Sequence, residues 1–318
     1  MSEELGSAER VWRWLEAGQL DLPVPASGQT AVRWWKLAAL TENDVVAGRL
    51  AEAHTDASAI LTELDGPAPE RAQLWGVWAA EAPDGVVLAE DGHDGVTLSG
   101  TKAWCSGAGL CTHALVTARR DDNSRCLYAV DLRAAGVKPL TPSWHNAGMR
   151  ESDTRSVQFT DVPAVPVGGP GEYLSRAGFW HGAIGVAACW LGGARAVAGP
   201  LYRAVADEHS PASADEHAHA HLGAVDAALA AGEAMLVSAA CTVDASPNDV
   251  RAELIARRVR AVVEHAVDEA IVRTGRALGP GLLALDGRHA QRVADLTMYV
   301  RQSHAERDLA ALGRLAAR

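Results

Sequence analysis

The sequence predicts an α+β fold: a short helical zone, then a compact antiparallel β domain, then a four-helix bundle. Three observations carry this. Residues 1–73 hold apolar side chains at helical spacing. Residues 74–171 switch to short runs rich in Val, Leu, Thr, Tyr and Phe, divided by Gly, Asp, Asn and Pro. Residues 172–318 return to long helical segments with few breaks.

The first zone reads as three helices, "SAERVWRWLEAG", "TAVRWWKLAAL" and "ENDVVAGRLAEAHTDASAILTEL". Ser7 and Thr41 are the expected N-caps, because a short hydroxyl can accept from an unpaired backbone N–H. Gly66-Pro67 ends the zone. The strands of the second zone include "GVTLSG", "HALVTAR", "RCLYAVDL" and "SVQFTDV", with a hairpin-type turn in "EDGHDG" at 90–95. The last zone divides into helices near 173–205, 215–242, 248–278 and 289–317, parted by "HSPASAD", "DASPND" and "LGPGLLALDG". The first of these is apolar nearly all round and full of Gly and Ala. Small residues let helix axes approach closely, so it is the expected central helix.

An apolar content of 48% suits a chain that buries a core. With 40 acids against 29 bases the net charge is −11, which argues against a nucleic-acid partner. The five cysteines, 105, 111, 126, 189 and 241, are odd in number and form no CxxC pair. That points to a reducing, cytoplasmic setting. The start shows no apolar core behind basic residues and so no signal peptide. "WHGAIGVAACWLGG" comes closest to a membrane span, but His181 and the flanking charges mark it as a buried helix.

Several stretches resemble the acyl-CoA dehydrogenase family. "VTLSGTKAWCSGAGLCTHALVTAR" is similar to a family strand-turn-strand with a Gly-x-Lys-x-Trp-x-Ser/Thr run. "GMRESDTRSVQFTDVPAVP" (148–166) resembles its Gly-Met-Arg-x-Ser-x-Thr segment, and "LGGARAV" the opening helix of its bundle. "LGPGLLALDGRHAQRVADL" resembles its Gly-rich loop followed by Arg-x-x-Asp. Together they cover about residues 45–318. The resemblance implies FAD as cofactor, with Trp104 packed on the flavin ring, Cys105 beside it, and Ser106 at the N5 edge. A flat apolar ring with polar edges wants one large face and a few placed polar groups. The other reading of Trp104 is a side chain filling the β core. The resemblance also implies that Arg276, Gly279 and Gly281 reach the FAD diphosphate of a neighbouring subunit, hence a homodimer or a dimer of dimers acting on a small molecule, with an acyl thioester one option. A guanidinium fork suits phosphate, and glycines let backbone N–H groups come close; the plainer reading of Gly279 is a helix C-cap.

The departures from the family matter as much. The N-terminal zone is short. The family's Thr-Glu-x-x-x-Gly-Ser-Asp loop is replaced by "WGVWAAEAPDG" (75–85), where Glu81 matches the Glu and Ala80 the Thr, with only Asp84 and Gly85 left of the rest. Backbone amides at Ala79 and Ala80 are the remaining flavin contacts there. "ADEHSPASADEHAHAHL" replaces an Arg-x-x-Phe-Gly…Gln stretch, with His217 near the Gln position. His217, His219 and His221 invite a metal reading, but solvated helix histidines are the simpler account, and we assign no metal. The catalytic Glu is missing: Ser303 stands at one family position and Gly182 at the other. Taking an alpha proton from a thioester needs a base. On a continuous helix, Val293, Leu296 and Val300 form an inward stripe that His304 continues, so His304 is the first stand-in and His181 the second. Each also reads as an ordinary interface histidine. The sequence thus points to an FAD-dependent oxidoreductase with an atypical substrate or chemistry. The alternatives are a flavin monooxygenase on the same fold, or a non-catalytic paralogue acting as a binding or scaffold protein.

Overall fold

The computed structural model describes residues 5–82, 85–93 and 95–318. In chain order the helices are α1 (Ser7–Glu16), α2 (Thr30–Asn43), α3 (Val45–Glu63), α4 (Glu172–Ser175), α5 (Ala177–Ala206), α6 (Glu216–Ala245), α7 (Ala252–Leu278), α8 (Pro280–Leu285), α9 (Gly287–Tyr299) and α10 (Glu306–Ala316). The strands are β1 (Trp75–Trp78), β2 (Val87–Gly92), β3 (Gly95–Cys105), β4 (His113–Arg119), β5 (Arg125–Asp131), β6 (Val137–Pro139) and β7 (Arg155–Val167). Contacts divide the chain into two compact units. One holds the chain up to Leu22 with 50–145 and 150–179; the other holds 23–49, 146–149 and 180–318.

The first unit is built on a seven-stranded sheet ordered β1-β4-β2-β3-β7-β5, with β6 on β7 and β5 also paired to β4. The β4–β5 pairing closes the sheet on itself, so β4 loses both free edges and both open faces. Its residues are buried nearly throughout and still alternate. Ala114, Val116 and Ala118 join Trp78, Leu98, Tyr128 and Phe159 in one core. Leu115 turns the other way and packs with Leu127 and Trp75 against Ile60 and Leu61 of α3. The sheet is mixed where the sequence suggested an antiparallel one: β1 and β2 run parallel to β4. The other pairings are antiparallel.

Two caps differ from expectation. Gly6 is the N-cap of α1; Ser7 lies inside the helix, and its N–H donates to Glu151 Oε2 at 2.8 Å. Thr41 ends α2 rather than opening α3, donating its hydroxyl to Leu37 O at 2.9 Å. Asp44 takes the cap, accepting from Ala47 N at 2.8 Å. A carboxylate that caps also favours the positive end of the helix dipole.

The second unit is a helical bundle in which α5 is the buried member, with Ala187, Ala188, Cys189, Trp190 and Leu191 all inaccessible. Glycines set its spacing. Gly192 lies against the Ala38 backbone of α2, Gly193 against Leu296 of α9, and Leu191 against Gly232 of α6. Helices α5 and α6 are long and apolar enough to cross a membrane by composition; the apolar window of α5 is 83% buried inside the protein. The expected single helix at 289–317 is broken. α9 ends at Tyr299, a 3-10 turn covers Val300–Gln302, Ser303 is extended and Ala305 has φ +43°. Side chains cause the break by offering the backbone other partners. Ser303 Oγ accepts from Ala305 N at 3.2 Å, and Asp308 Oδ2 accepts from His304 N at 3.0 Å.

Candidate functional site

In the first unit the stretch that holds the candidate residues Trp104, Cys105 and Ser106 is the end of β3 and the turn after it. The β3–β7 register shifts between Lys102 and Cys105, and Trp104 has φ +60°. A bulge of this kind re-aims a side chain. Trp104 is turned outward, 57% exposed, with its ring edge-to-face with Trp144 at 6.2 Å between centroids. It is not a core tryptophan; Trp78 and Trp75 are. Cys105 points the opposite way, fully buried, donating to Lys102 O at 3.3 Å. Burial pushes its thiol pKa well up, so it is an inert spacer rather than a nucleophile.

Ser106 opens the following turn. Its carbonyl accepts from Trp78 Nε1 at 2.9 Å, which ties the turn to β1, the strand that leads into Ala79 and Ala80. Its hydroxyl accepts from Thr154 Oγ1 at 3.0 Å, and Thr154 is bonded to Ser152 Oγ at 2.8 Å. The hydroxyl hydrogens therefore run in one direction, from Ser152 through Thr154 to Ser106. The Ser106 hydroxyl keeps its own hydrogen to donate, in a chain whose members polarise one another. Asp153 holds the turn by accepting from Gly109 N at 2.8 Å. The quoted segment 148–166 contained Ser152 and Thr154, but their partnership with Ser106 spans two strands and left no mark in local spacing. Trp144 had no signal at all.

Glu81 follows β1 and meets Arg119 at 3.0 Å and Arg125 at 2.7 Å. Burial works to raise its pKa, but the hydrogen bond from Arg119 and the Arg125 charge outweigh it and hold the carboxyl below its usual range. Asp84 lies outside the described residues. Lys102, 3% exposed, donates to Thr117 O at 3.0 Å and Thr117 Oγ1 at 2.7 Å. Burial brings its amine down to about 8, against the opposing pull of Glu81. The folded pKa then lies below the unfolded ~10.4, and the unfolded chain binds the extra proton in between. Stability should rise with pH from about 8 to about 10.4. Urea midpoints measured at both ends for wild type and Lys102→Met check this: the rise should vanish in the variant, and its persistence there would reject the assignment.

In the second unit, Arg276 is exposed in the last turn of α7, Gly279 has φ +70°, and Gly281 lies within α8. A Cβ added at Gly279 or Gly281 would meet nothing, so the backbone here is open to a ligand. His217 and His219 sit in the first turn of α6, with His219 Nε2 bonded to Ser213 O at 2.8 Å. Among the described residues no group of three metal-binding side chains is placed to hold an ion.

The two positions at which the resemblance expects a Glu converge. Arg260 of α7 donates to Ala183 O at 3.1 Å, next to Gly182, and to Gln302 O at 3.4 Å, next to Ser303. Its guanidinium stacks over Trp190 at 4.3 Å, and burial lowers its pKa. His304 does not continue an inward stripe. The break turns it out, 59% exposed and 3.6 Å from Asp308, so its side chain is placed away from the core. His181 is buried and faces Thr242, Ser246 and Asp249 around a small cavity within the bundle. The carboxylate nearest the expected base position is one that sequence reasoning missed: Glu264 of α7 accepts from Ser303 Oγ at 2.6 Å.

Together the sheet unit and the helical bundle make the acyl-CoA dehydrogenase fold, and residues 80–162 match the family model described as the acyl-CoA dehydrogenase middle domain. Among solved structures, butyryl-CoA dehydrogenase from Megasphaera elsdenii is 17% identical with a TM-score of 0.84, over 98% of this chain and 90% of that one. FMN-bound TdsC from Paenibacillus sp. A11-2, also described as dibenzothiophene monooxygenase, is 18% identical with a TM-score of 0.77, over 96% and 94%. KijD3 in complex with dTDP is 19% identical with a TM-score of 0.80, over 97% and 88%. A search of the curated proteins finds no match.

Proposed function

We propose that this protein is a flavin-dependent oxidoreductase acting on a small molecule, with FAD as the flavin. The observation that carries the reading is Trp104, held outward on a bulge with a hydroxyl donor, Ser106, two residues on. An exposed indole face and an aligned hydroxyl fit a flat ring with polar edges. Arg276 and the open backbone at Gly279 and Gly281 fit the phosphate oxygens of a neighbouring subunit's flavin, and the amides of Ala79 and Ala80 fit the ring. A bound flavin supplies a two-electron acceptor. The chain's own part is then to stack the ring on Trp104, to hold one ring edge with the Ser106 hydrogen, and to seat the phosphates. FMN stands in solved structures of TdsC and of KijD3, so the released flavin should be identified by mass.

A second reading, a flavin monooxygenase, is favoured by Ser303 and Gly182 standing where carboxylates are expected. The test begins with flavin uptake. Purified protein mixed with FAD or FMN should retain a flavin spectrum after gel filtration. Trp104→Ala should lower occupancy about fivefold, the loss of a stacking contribution near 1 kcal/mol. Ser106→Ala should change occupancy less and the rate of flavin reduction more. A wild type that takes up neither flavin supports the non-catalytic paralogue; an unchanged flavin ratio in the Trp104 variant removes Trp104 from the site.

We also propose a cytoplasmic homo-oligomer. Leu285 is 88% exposed and Leu309 52%, with Leu283, Val272 and Val237 also open. Large apolar side chains this exposed favour burial against a second copy. Light scattering at micromolar concentration should give at least twice 33.4 kDa; a monomer would contradict the shared cofactor site.

A further inference from the structure

We propose that Ser303, fixed by Glu264, is a subsite that recognises a neutral O–H or N–H group on the ligand. A hydroxyl has one hydrogen and two lone pairs. The Ser303 hydrogen is committed to Glu264 Oε2 at 2.6 Å, and one lone pair accepts from Ala305 N at 3.2 Å. What is left is a single lone pair, so Ser303 can accept and cannot donate. A ligand carbonyl or ether would meet it lone pair to lone pair.

The surroundings are built to keep this arrangement. Ser303 is only 7% exposed, so a ligand that reaches it leaves water behind. Glu264 is held on its other oxygen by Arg301 at 3.7 Å, which also faces Asp268 at 3.7 Å. Arg260, one turn back on α7, pins Gln302 O beside Ser303 and Ala183 O beside Gly182. The backbone is strained to make the seat: Ala305 has φ +43° with ψ −117°, a conformation that costs an ordinary residue energy and persists only when its surroundings enforce it.

The inference rests on the oxidoreductase reading in that the recognised ligand is taken to be the substrate of that site. Indole and benzofuran are suitable probes, since they share a shape and differ by the N–H. Calorimetry on the purified, flavin-reconstituted protein should give indole about fivefold to tenfold tighter, the worth of one hydrogen bond. Ser303→Ala removes the acceptor, and Glu264→Met, which offers the serine no strong acceptor, frees its hydrogen to compete for the ligand. Either change should bring the ratio to about one while flavin uptake stays near wild type; losing the buried hydrogen bond lowers the melting temperature, but a purely structural pair would lower it and leave the ratio intact. Equal affinities in the wild type, no binding of either probe, or a ratio preserved in both variants overturns the subsite. Loss of flavin uptake with the ratio intact instead overturns the oxidoreductase reading and leaves the subsite standing.

Discussion

Gly192→Ala should be among the most damaging single substitutions in this chain. At Gly192 a Cβ would overlap the Ala38 carbonyl oxygen and sit 2.7 Å from its carbon. Both obstacles are backbone atoms of α2, so no side chain can rotate to relieve them. The helices would have to move apart, and α5 is packed by Leu296 and Gly232 on other sides. Overpacking a core typically costs 1–3 kcal/mol, and a rigid backbone clash puts this change at about 3 kcal/mol or more. Gly223→Ala is the matched control. Gly223 lies within α6, and a Cβ there meets nothing. Alanine should stabilise that helix by roughly 0.5–1 kcal/mol. Thermal melts of the two variants should therefore move in opposite directions. A Gly192 variant melting within a degree or two of wild type would mean that α2 and α5 do not meet at this distance.

That contact shows what the sequence disclosed and what it withheld. The small residues of α5 announced a close approach, because few other pressures collect Gly and Ala on an apolar helix. They did not say which helix approaches. The strands were legible by composition, yet the parallel placement of β1 and β2 beside β4 depends on how the sheet closes, which no local pattern records. Ser7 and Thr41 looked like caps because hydroxyls cap, but Asp44, three residues after Thr41, won the second helix. The candidate site divides in the same way. Trp104 and Ser106 stood out because an indole among turn residues is odd. Trp144 and Thr154 complete their surroundings across 40 and 48 residues of chain, and in the other unit Glu264 meets Ser303 across 39, distances at which periodicity carries no information. The stripe through Val293 and Val300 assumed one continuous helix, and the side chain–backbone and turn hydrogen bonds at 303–308 were enough to undo it.

Ser303→Glu tests the missing base, and Glu264 changes what that substitution should do. A glutamate at 303 sets a second carboxylate within hydrogen-bond reach of Glu264, which already lies 2.6 Å from the serine oxygen. Two carboxylates that close share a proton, and one of them titrates well above its ordinary ~4.3. A folded pKa raised above the unfolded value gives stability that is complete below about pH 4.3 and is lost as pH rises through the folded pKa. The variant should thus melt close to wild type at about pH 4.5 and fall progressively further behind toward pH 8. The Arg301 guanidinium, 3.7 Å from Glu264 and half exposed, offsets only part of the repulsion. Adding Glu264→Gln removes one charge, so the double variant should show a small gap that does not vary with pH. Chemistry follows the same division. Wild type should turn over straight-chain acyl-CoAs poorly with a dye acceptor, since Ser303 and Gly182 offer no base. The double variant carries one unshared carboxylate at the expected place, and a positioned base supplies ~10²–10⁴-fold; its turnover should exceed wild type by at least about 10²-fold if a thioester is held there. A pH-independent loss of stability in the single variant would show that the two side chains do not meet. Brisk wild-type dehydrogenation of those thioesters would show that a base acts from elsewhere, and Glu264→Gln would then be the first variant to ask whether it is the carboxylate behind the serine.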